Sequence, residues 1–391
     1  MSPSPRDPSS NAPLKLGVFG TSRKENERRL PIHPLHLAHV DPALRAAIFV
    51  EEGYGSHFGT TKSQLEGLVA GIRSQEQLVE ECDVLLLPKP LADDLAQMRP
   101  GQVLWGWPHC VQDEALTQQA IDGRLTLIAW EAMNRWHSDG SFDVHVFHKN
   151  NELAGYGSVL HALQLAGRTG HYGRQLSAAV ISFGATGRGA VTALNGLGIV
   201  DVTVLTHRAP AAVASPPHST KMGQFGTDAG DPSRLVAIVD DERRPMAEVL
   251  ASHDVVVNCV LQDTDSPYMF LTYDDLERLE PGSTIVDVSC DAGMGFEWAR
   301  PTSFEDPVFT VGNDVLYYAV DHSPSYLWDS ATWEISEALL PFLPVVLGGP
   351  DRWTDDETIS RAIEIRDGVV QNPKILSFQG RSPQYPHPKE G

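Results

Sequence analysis

The stretch that decides the fold runs from Ala179 to Arg208 and reads AVISFGATGRGAVTALNGLGIVDVTVLTHR. An apolar run enters a glycine-rich turn, an apolar-periodic segment follows, and a run rich in β-branched residues closes the stretch. This order predicts a strand, a tight turn, a helix and a second strand within about 30 residues. We interpret the stretch as the phosphate-binding half of a dinucleotide-binding fold.

The glycine-rich turn predicts contacts with a pyrophosphate, which must approach backbone N–H groups at a helix N-terminus. A side chain at Gly184 would block that approach, and one at Gly187 would push the helix away from the strand. The GxGxxG pattern is altered because Ser182 occupies its first glycine position. We assign Ser182, Gly184, Thr186, Gly187 and Arg188 to the cofactor site. The alternative is a glycine-rich turn that binds no ligand.

The end of the second strand bears on the choice of cofactor. NAD-binding proteins usually place Asp or Glu there to bind the ribose 2′-hydroxyl. Here Thr206, His207 and Arg208 occupy the turn, so no carboxylate repels a 2′-phosphate, and Arg208 can donate hydrogen bonds to one. The sequence therefore favours NADP(H), with NAD(H) as the alternative. The plainer interpretation of Arg208 is a solvated surface arginine.

The composition restricts the expected partners. Acidic residues outnumber basic ones by 51 to 30, and the formal net charge is −21, which argues against nucleic acid or an anionic membrane as a partner. A chain of 391 residues is expected to form two domains. Its four cysteines show no CxxC spacing, so we predict neither a metal site nor a disulfide framework. The sequence shows no signal peptide or long apolar span, which predicts a cytoplasmic protein.

Apolar runs alternate with helix-like segments outside this stretch as well, which indicates a second doubly wound sheet. The predicted fold class is α/β, with two doubly wound Rossmann-like domains separated by an interdomain cleft. Residues 1–13 and 382–391 are predicted to be disordered. Residues 209–234, which are rich in Pro, Gly and Ser, are predicted to form a long irregular loop.

Several chemically distinctive residues follow predicted strands of the two sheets. Ligands of open α/β sheets bind beyond the carboxyl ends of the strands, so these residues are candidates for a site. Each also has a plainer interpretation, such as a surface lysine, a hydrogen-bonded histidine or a helix cap. The candidates are Lys89, His109, Glu131, Asp291 and His322.

Spaced segments resemble one enzyme family, the group of alanine dehydrogenase, lysine-forming saccharopine dehydrogenase and carboxyethylornithine synthase. KENERRLPIHP resembles the family's opening charged segment, LLPKP the segment with its active-site lysine, and WPHCVQDE the segment with its histidine. NELAGYGSVLHAL resembles the helix that links its two domains. The segments that look like saccharopine dehydrogenase are DVVVNCV, IVDVSCDAG and AVDHSPS.

The resemblance implies roles for the matching residues outside the glycine-rich stretch. Arg29 is expected to hold a substrate carboxylate, and Lys89 and His109 are expected to form an acid–base pair. Glu131 is expected to pair with Lys89. These four residues would form the catalytic and substrate-binding set.

The resemblance also implies how the domains are arranged. Residues 1–153 and 325–391 are expected to form a discontinuous substrate domain, with a dinucleotide-binding domain of residues 154–324 inserted between them. Within the inserted domain, Asp291 is expected to face the nicotinamide end of the cofactor. Val260 and His322 are assigned to the same cofactor site.

The implied reaction is an NAD(P)H-dependent reductive condensation, in which a 2-oxo acid condenses with an amino acid and hydride reduces the imine. Lysine and histidine suit it because amine attack needs a base and dehydration needs an acid. The segments WPHC and AVDHSPS favour this reaction over alanine dehydrogenase, which uses ammonia as the amine. A dinucleotide-binding regulatory protein without turnover is the third alternative. The expected partners are the small-molecule 2-oxo acid and amine, and a homo-oligomer is left open.

Overall fold

The computed structural model describes residues 12–209, 213, 220–231 and 234–389. The predicted disorder of residues 1–11 lies outside the described residues, as do parts of the predicted loop at 210–212, 214–219 and 232–233. Among the described residues, no helix has both the length and the apolar character that crossing a membrane requires.

The strands of the described chain are short, and most belong to two large sheets. In chain order they are β1 Leu16–Val18, β2 Ile48–Glu51, β3 Gly71–Arg73, β4 Val84–Leu86, β5 Val103–Gly106, β6 Thr126–Ala129, β7 Asn134–Trp136, β8 Phe142–His145, β9 Ser177–Ile181, β10 Asp201–Thr206, β11 Thr220–Thr227, β12 Leu235–Val239, β13 Glu242–Pro245, β14 Val255–Asn258, β15 Met269–Leu271, β16 Thr284–Asp287, β17 Gly295–Phe296, β18 Val308–Val311, β19 Val315–Tyr318, β20 Ile363–Arg366 and β21 Val369–Val370.

The α-helices fall mainly between the strands. In chain order they are α1 Pro42–Arg45, α2 Lys62–Leu65, α3 Gln75–Glu81, α4 Ala92–Leu95, α5 Glu114–Asp122, α6 His148–Leu165, α7 Ala185–Gly196, α8 Met246–Ala251, α9 Trp328–Leu339, α10 Leu343–Leu347, α11 Pro350–Asp355, α12 Glu357–Ala362 and α13 Pro373–Gln379. Short 3-10 helices are Pro34–His39, Ser56–Phe58, Trp130–Ala132, Tyr273–Arg278, Ser323–Leu327 and Leu340–Phe342.

The chain forms two compact units. The terminal unit consists of Met1–Phe147 and Trp328–Gly391, and the central unit consists of His148–Leu327. The family resemblance implied domain boundaries after residues 153 and 324, whereas the two compact units of the structure meet after Phe147 and after Leu327.

The terminal unit contains an eight-stranded sheet in the order β21-β20-β6-β5-β4-β1-β2-β3. The strands from β1 to β6 are parallel and follow the doubly wound order 3-2-1-4-5-6. All residues of β1, β2, β4, β5 and β6 are buried, which explains why these strands are mainly apolar in the sequence. Strand β20, from the C-terminal part of the chain, is antiparallel to β6 and extends the sheet.

The central unit contains a nine-stranded sheet in the order β13-β12-β11-β10-β9-β14-β16-β19-β18. The strands from β11 to β19 in this order are parallel, and they repeat the doubly wound pattern of the terminal unit. Strands β12, β13 and β18 are antiparallel to their neighbours. The α/β class and the two doubly wound sheets predicted from the sequence are therefore confirmed.

Two helices of the central unit touch backbone to backbone because glycines lie at their crossing. A Cβ atom on Gly155 of α6 would lie 1.9 Å from the carbonyl oxygen of Thr186 in α7. A Cβ atom on Gly189 of α7 would lie 1.7 Å from the carbonyl oxygen of Glu152 in α6. No side chain fits at either position, so this crossing fixes α6 against the helix that follows the glycine-rich turn.

Two sequence predictions are wrong. The predicted irregular loop at residues 209–234 contains β11, whose sequence TKMGQFGT lacks an apolar run and carries two glycines. The strand forms because it pairs with β10 on one side and with β12 on the other. The tail predicted to be disordered from residue 382 is ordered through Lys389, which bridges to Arg381. His387 is buried, and its Nε2 accepts a hydrogen bond from the Val370 N–H at 3.1 Å.

Candidate active site

Lys89 and His109 come together at the carboxyl ends of the adjacent parallel strands β4 and β5 of the terminal unit. Their side chains are hydrogen-bonded, with 2.7 Å between Lys89 Nζ and His109 Nε2. The strand ends approach closely because a Cβ atom on Gly106 would lie 2.0 Å from the carbonyl oxygen of Leu87. The sheet therefore delivers two nitrogen bases of different strength to one point, where a proton can pass between them.

The backbone of His109 is held in an unusual conformation. Its φ of 48° lies in the left-handed region, which is uncommon for a residue with a side chain. The N–H of His109 donates to Glu131 Oε1 at 2.6 Å, and its carbonyl oxygen accepts from the N–H groups of Gln112 and Asp113. These contacts maintain the strained backbone and so fix the direction of the imidazole.

Glu131 lies behind this pair, in the short helix that follows β6. Its Oε1 is also 3.9 Å from His109 Nδ1, and a quarter (25%) of its side chain is exposed. Burial raises the pKa of the Glu131 carboxyl, and the nearby Glu364 carboxyl raises it further. The His109 N–H and the positive charge of Lys89 lower it in part. The Glu131 carboxyl therefore interacts with both members of the Lys89–His109 pair.

Arg29 is buried in the loop between β1 and the first 3-10 helix, and it is held by its near neighbour Glu27. Arg29 Nε donates to Glu27 Oε1 at 2.8 Å, and Arg29 Nη2 donates to Glu27 Oε2 at 2.5 Å. The guanidinium carbon lies 5.0 Å from the centre of the Trp107 ring. Arg29 is thereby fixed beside the loop that carries His109.

The turn that follows β1, at Gly20 and Thr21, is anchored by Glu51 at the end of β2. Glu51 Oε2 accepts from the N–H groups of Gly20 and Thr21 at 2.7 and 2.9 Å, and its Oε1 accepts from the Thr21 hydroxyl at 2.8 Å. The carboxylate thus occupies the backbone donors after β1 of the terminal unit, at the place where a dinucleotide fold would bind phosphate. The backbone donors of this turn are therefore already hydrogen-bonded within the protein.

In the central unit, the glycine-rich turn joins β9 to the N-terminus of α7. A Cβ atom on Gly187 would lie 2.4 Å from the carbonyl oxygen of Ser182, which explains why this helix position is glycine. A Cβ atom on Gly184 would meet no atom within 4 Å, so the backbone there is accessible to a ligand. The structure brings the predicted residues together in this turn: Ser182, Gly184, Thr186, Gly187 and Arg188.

The turn after β10 presents basic side chains to solvent. Thr206 is buried, and its hydroxyl accepts the backbone N–H of Arg208 at 3.2 Å. His207 and Arg208 are exposed. The described residues of this turn, 206–209, include no acidic residue.

The loops after β14 and β16 are organised by the buried carboxylate of Asp287. Asp287 accepts hydrogen bonds from Asn258 Nδ2 at 2.9 Å and from the Tyr317 hydroxyl at 2.5 Å. Asn258 Oδ1 in turn accepts the N–H of Val260 at 3.2 Å. This network places Val260 and Asp291 beyond neighbouring strand ends, and burial raises the pKa of Asp291 to about 6.

His322 follows β19 and is almost fully buried. Its Nδ1 lies 2.5 Å from Asp321 Oδ1, and its ring packs edge-on against Phe304. The structure therefore places His322 near the strand ends of the central sheet. These contacts fix the orientation of the His322 ring.

The sequence models for one family match both parts of the chain. The model of the alanine dehydrogenase/PNT C-terminal domain matches residues 173–373, and that of the N-terminal domain matches residues 21–152. The chain belongs to the alanine dehydrogenase/PNT family. This confirms the family resemblance found in the sequence, and the chain is an alanine dehydrogenase-like oxidoreductase.

Relatives of this alanine dehydrogenase/PNT family member have two different names. The alanine dehydrogenase of Mycobacterium tuberculosis (strain ATCC 25618 / H37Rv) is 25% identical over 379 residues, which cover 94% of this chain and 97% of that protein. The N(5)-(carboxyethyl)ornithine synthase of Clostridium botulinum is 23% identical over 339 residues, which cover 83% and 92%. A solved L-alanine dehydrogenase matches with a TM-score of 0.72 and 19% identity over 93% of this chain and 99% of that one, which shows the shared fold.

The sequence analysis did not predict several residues that organise the site of this family member. Asn258 and Asp287 end buried apolar strands, and a polar residue at that position is a signal that could have identified them. Glu27 lies inside the charged segment already assigned to the site. Glu364 gave no such signal because β20 is far from the other site residues in the chain.

One prediction concerns the altered glycine motif of this family member. Ser182 has a φ of 78°, a conformation that glycine adopts freely and other residues adopt at a cost. We expect Ser182→Gly to raise the free energy of unfolding of the central unit by about 1 kcal/mol, because relief of strain exceeds the added chain entropy. Hydrogen exchange of the β9 and α7 amides measures this change. Ser252→Gly is the control, since Ser252 has an ordinary φ of −79°, and equal effects of both changes would contradict the strain.

Proposed function

We propose that the protein is an NAD(P)H-dependent oxidoreductase acting on CH–NH bonds, which condenses a 2-oxo acid with an amino acid and reduces the imine. The observation that carries this proposal is the Lys89–His109 hydrogen bond of 2.7 Å at adjacent strand ends. The nicotinamide cofactor supplies hydride to the imine carbon, and the protein supplies orientation and proton transfer. A screen of paired 2-oxo acids and amines that follows NADPH absorbance tests the proposal.

Proton transfer is the task of Lys89 and His109. Attack of the amine on the 2-oxo carbon requires a base to accept a proton, and loss of water from the resulting carbinolamine requires an acid to return one. Since the two nitrogens share a hydrogen bond, a proton received by one can reach the other without crossing solvent. The pair can therefore act as base in the first step and as acid in the second.

Arg29 is proposed to orient the 2-oxo acid through its carboxylate. Glu27 and Trp107 fix the guanidinium, which removes the side-chain entropy that a mobile arginine would lose on binding. Glu27 already balances the charge of Arg29, so the substrate carboxylate would be bound by the Arg29–Glu27 pair as a unit and with little competition from water. Arg29 would thereby select for acids that carry a carboxylate next to the reacting carbonyl.

The central unit offers the residues that would hold the cofactor. The open backbone at Gly184 and the N-terminus of α7 fit a pyrophosphate. Arg188 lies in the first turns of α7, where it can add a positive charge to the same group. Val260, Asp291 and His322 would border the nicotinamide end.

We propose NADP(H) as the preferred cofactor because the β10 turn carries Arg208 and no acid. A charge-assisted contact with the 2′-phosphate is worth about 1.5–3 kcal/mol, or roughly tenfold to a hundredfold in affinity. Arg208→Ala should therefore weaken NADPH binding by that factor and leave NADH binding nearly unchanged. Calorimetric titration of both cofactors measures the effect.

The matched control for this prediction is Arg243→Ala, which removes an exposed arginine of the same unit that pairs with Asp228. We expect this variant to bind both cofactors as the unchanged protein does. If the unchanged protein binds NADPH and NADH equally, the preference for NADP(H) is wrong and NAD(H) is the cofactor.

Alanine dehydrogenase activity is the second candidate, supported by the relative of that name that matches 94% of this chain. The same screen separates the candidates, because ammonia would then replace the amino acid as the productive amine. A regulatory protein without turnover would bind the cofactor tightly, and no pair of substrates would lead it to oxidise NADPH.

A further inference from the structure

A second acid of the terminal unit, the buried Glu364, acts on Glu131 and raises the pKa of its carboxyl. Glu364 lies in β20, which runs antiparallel to β6, and Glu131 lies in the short helix directly after β6. The β20–β6 register is irregular between Ile363 and Ile365, which is where Glu364 lies. Glu364 is 5% exposed. The pairing of β20 with β6 thus places two acids that are far apart in the sequence on neighbouring elements.

Each of the two carboxyls has one oxygen with a hydrogen-bond donor and one without. Glu131 Oε1 accepts the His109 N–H at 2.6 Å, and Glu364 Oε1 accepts Asn372 Nδ2 at 2.9 Å. Among the described residues, Oε2 of Glu131 and Oε2 of Glu364 are both buried and have no hydrogen-bond partner. Two ionised carboxylates in this arrangement would repel each other and leave two buried acceptors unsatisfied.

The surroundings supply less positive charge than two carboxylates need. Lys89 acts on Glu131, and His109 Nδ1 lies 3.9 Å from Glu131 Oε1. Glu364 interacts with two neutral groups, the Asn372 amide and the Cys110 thiol. Burial raises the pKa of the Cys110 thiol, as do the carboxyls of Glu364 and Glu131, so the thiol stays protonated. Burial likewise raises the pKa of the Glu364 carboxyl.

We infer that Glu131 and Glu364 hold one proton between them and present a single negative charge to the Lys89–His109 pair. The protonated carboxyl would act as a hydrogen-bond donor, and the unpaired Oε2 atom of the other carboxyl would accept this bond. Glu364 is then a positioning residue, because it acts on Lys89 and His109 through Glu131. The functional part of this inference rests on the proposed function.

A single charge suits the acid–base pair. Two negative charges would hold the proton on Lys89 more strongly, and the loss of both would remove the field that favours its protonated form. With one shared proton, the charge behind the pair stays near −1 while Lys89 and His109 exchange protons with the substrate. The carboxyl pair would therefore keep the two bases able both to accept and to release a proton.

Infrared difference spectroscopy tests the shared proton directly and needs no substrate. At neutral pH, the unchanged protein should show the carbonyl stretch of a buried protonated carboxylic acid. Glu364→Gln and Glu131→Gln should each abolish this band. Glu357→Gln is the matched control, because Glu357 on α12 is half exposed and pairs with Arg361, so this variant should retain the band.

The pH dependence of stability is the second measurement. Because both pKa values are raised in the folded protein, stability is fully present below the ordinary carboxyl pKa and is lost as the pH rises through the raised values. Glu364→Gln removes one of these groups, so its unfolding midpoint should fall less steeply between acidic and alkaline pH. Tryptophan fluorescence reports mainly on the terminal unit, because Trp298 is the one of eight tryptophans that lies in the central unit.

The inference is overturned if the unchanged protein shows no such band at neutral pH, or if the band survives in either Glu131→Gln or Glu364→Gln. It is also overturned if the midpoint of Glu364→Gln falls as steeply with pH as that of the unchanged protein. Neither readout involves turnover. If the substrate screen finds a different reaction, the proposed function is wrong, whereas the infrared and pH measurements still decide whether the two carboxyls share a proton.

Discussion

Lys89→Met lowers turnover by about 10²-fold or more, the usual scale for loss of acid–base catalysis, while NADPH binding stays nearly intact. The reason is that methionine fills the same space and cannot accept or donate the proton that Lys89 shares with His109. His109→Gln should have an effect of similar size. Steady-state kinetics with the substrates found in the screen, together with calorimetric titration of NADPH, measure both quantities.

The double variant sharpens this prediction. Since Lys89 and His109 are hydrogen-bonded, they should act as one unit, and removing both should cost little more than removing either. Lys62→Met is the matched control, because Lys62 is an exposed lysine at the start of α2 and should retain full turnover. Near-normal turnover in both single variants would show that other groups carry out the proton transfer.

Gly189→Ala should lower the free energy of unfolding of the central unit by about 3 kcal/mol or more, at or above the upper end of the usual cost of overpacking. The added Cβ would lie 1.7 Å from the Glu152 carbonyl oxygen, and a backbone atom cannot move aside as a side chain can. Helices α6 and α7 would have to separate. Urea denaturation measures the loss.

Gly196→Ala, at the end of the same helix, is the control. A Cβ atom there would meet nothing within 4 Å, so this variant should be unchanged or more stable by up to about 1 kcal/mol through helix propensity. If Gly189→Ala is as stable as Gly196→Ala, the close contact between the helices does not limit the packing of the central unit.

The sequence predicted the two sheets because buried parallel strands are continuous apolar runs. The run at Val103–Gly106 is an example, since all four of its residues are buried in β5. Strand β11 escaped prediction because Gly223 and Gly226 interrupt it and its formation depends on pairing with β10 and β12, which lie outside the segment itself. Its formation is decided by tertiary contacts and not by local propensity.

For the candidate site, the sequence predicted which residues lie at strand ends but not the contacts between them. The sequence placed Lys89 and His109 at strand ends, but only the fold shows how far Gly106 allows those ends to approach. The assigned roles of the site residues stay predictions. Glu364 could not be found because its place beside Glu131 depends on the antiparallel pairing of β20 with β6, which no local pattern announces.

The placement of β20 also affects how the protein is made. Residues 12–147 leave the ribosome long before β20, so the edge of β6 that β20 will cover lacks its partner during that time. At ~5–20 residues per second, synthesis of residues 148–362, which precede β20, takes on the order of 10–40 s. Exposed strand edges pair readily with other chains, so the newly made N-terminal segment has a period in which aggregation or chaperone binding competes with folding. The central unit has no such delay, because its whole sheet comes from one continuous segment.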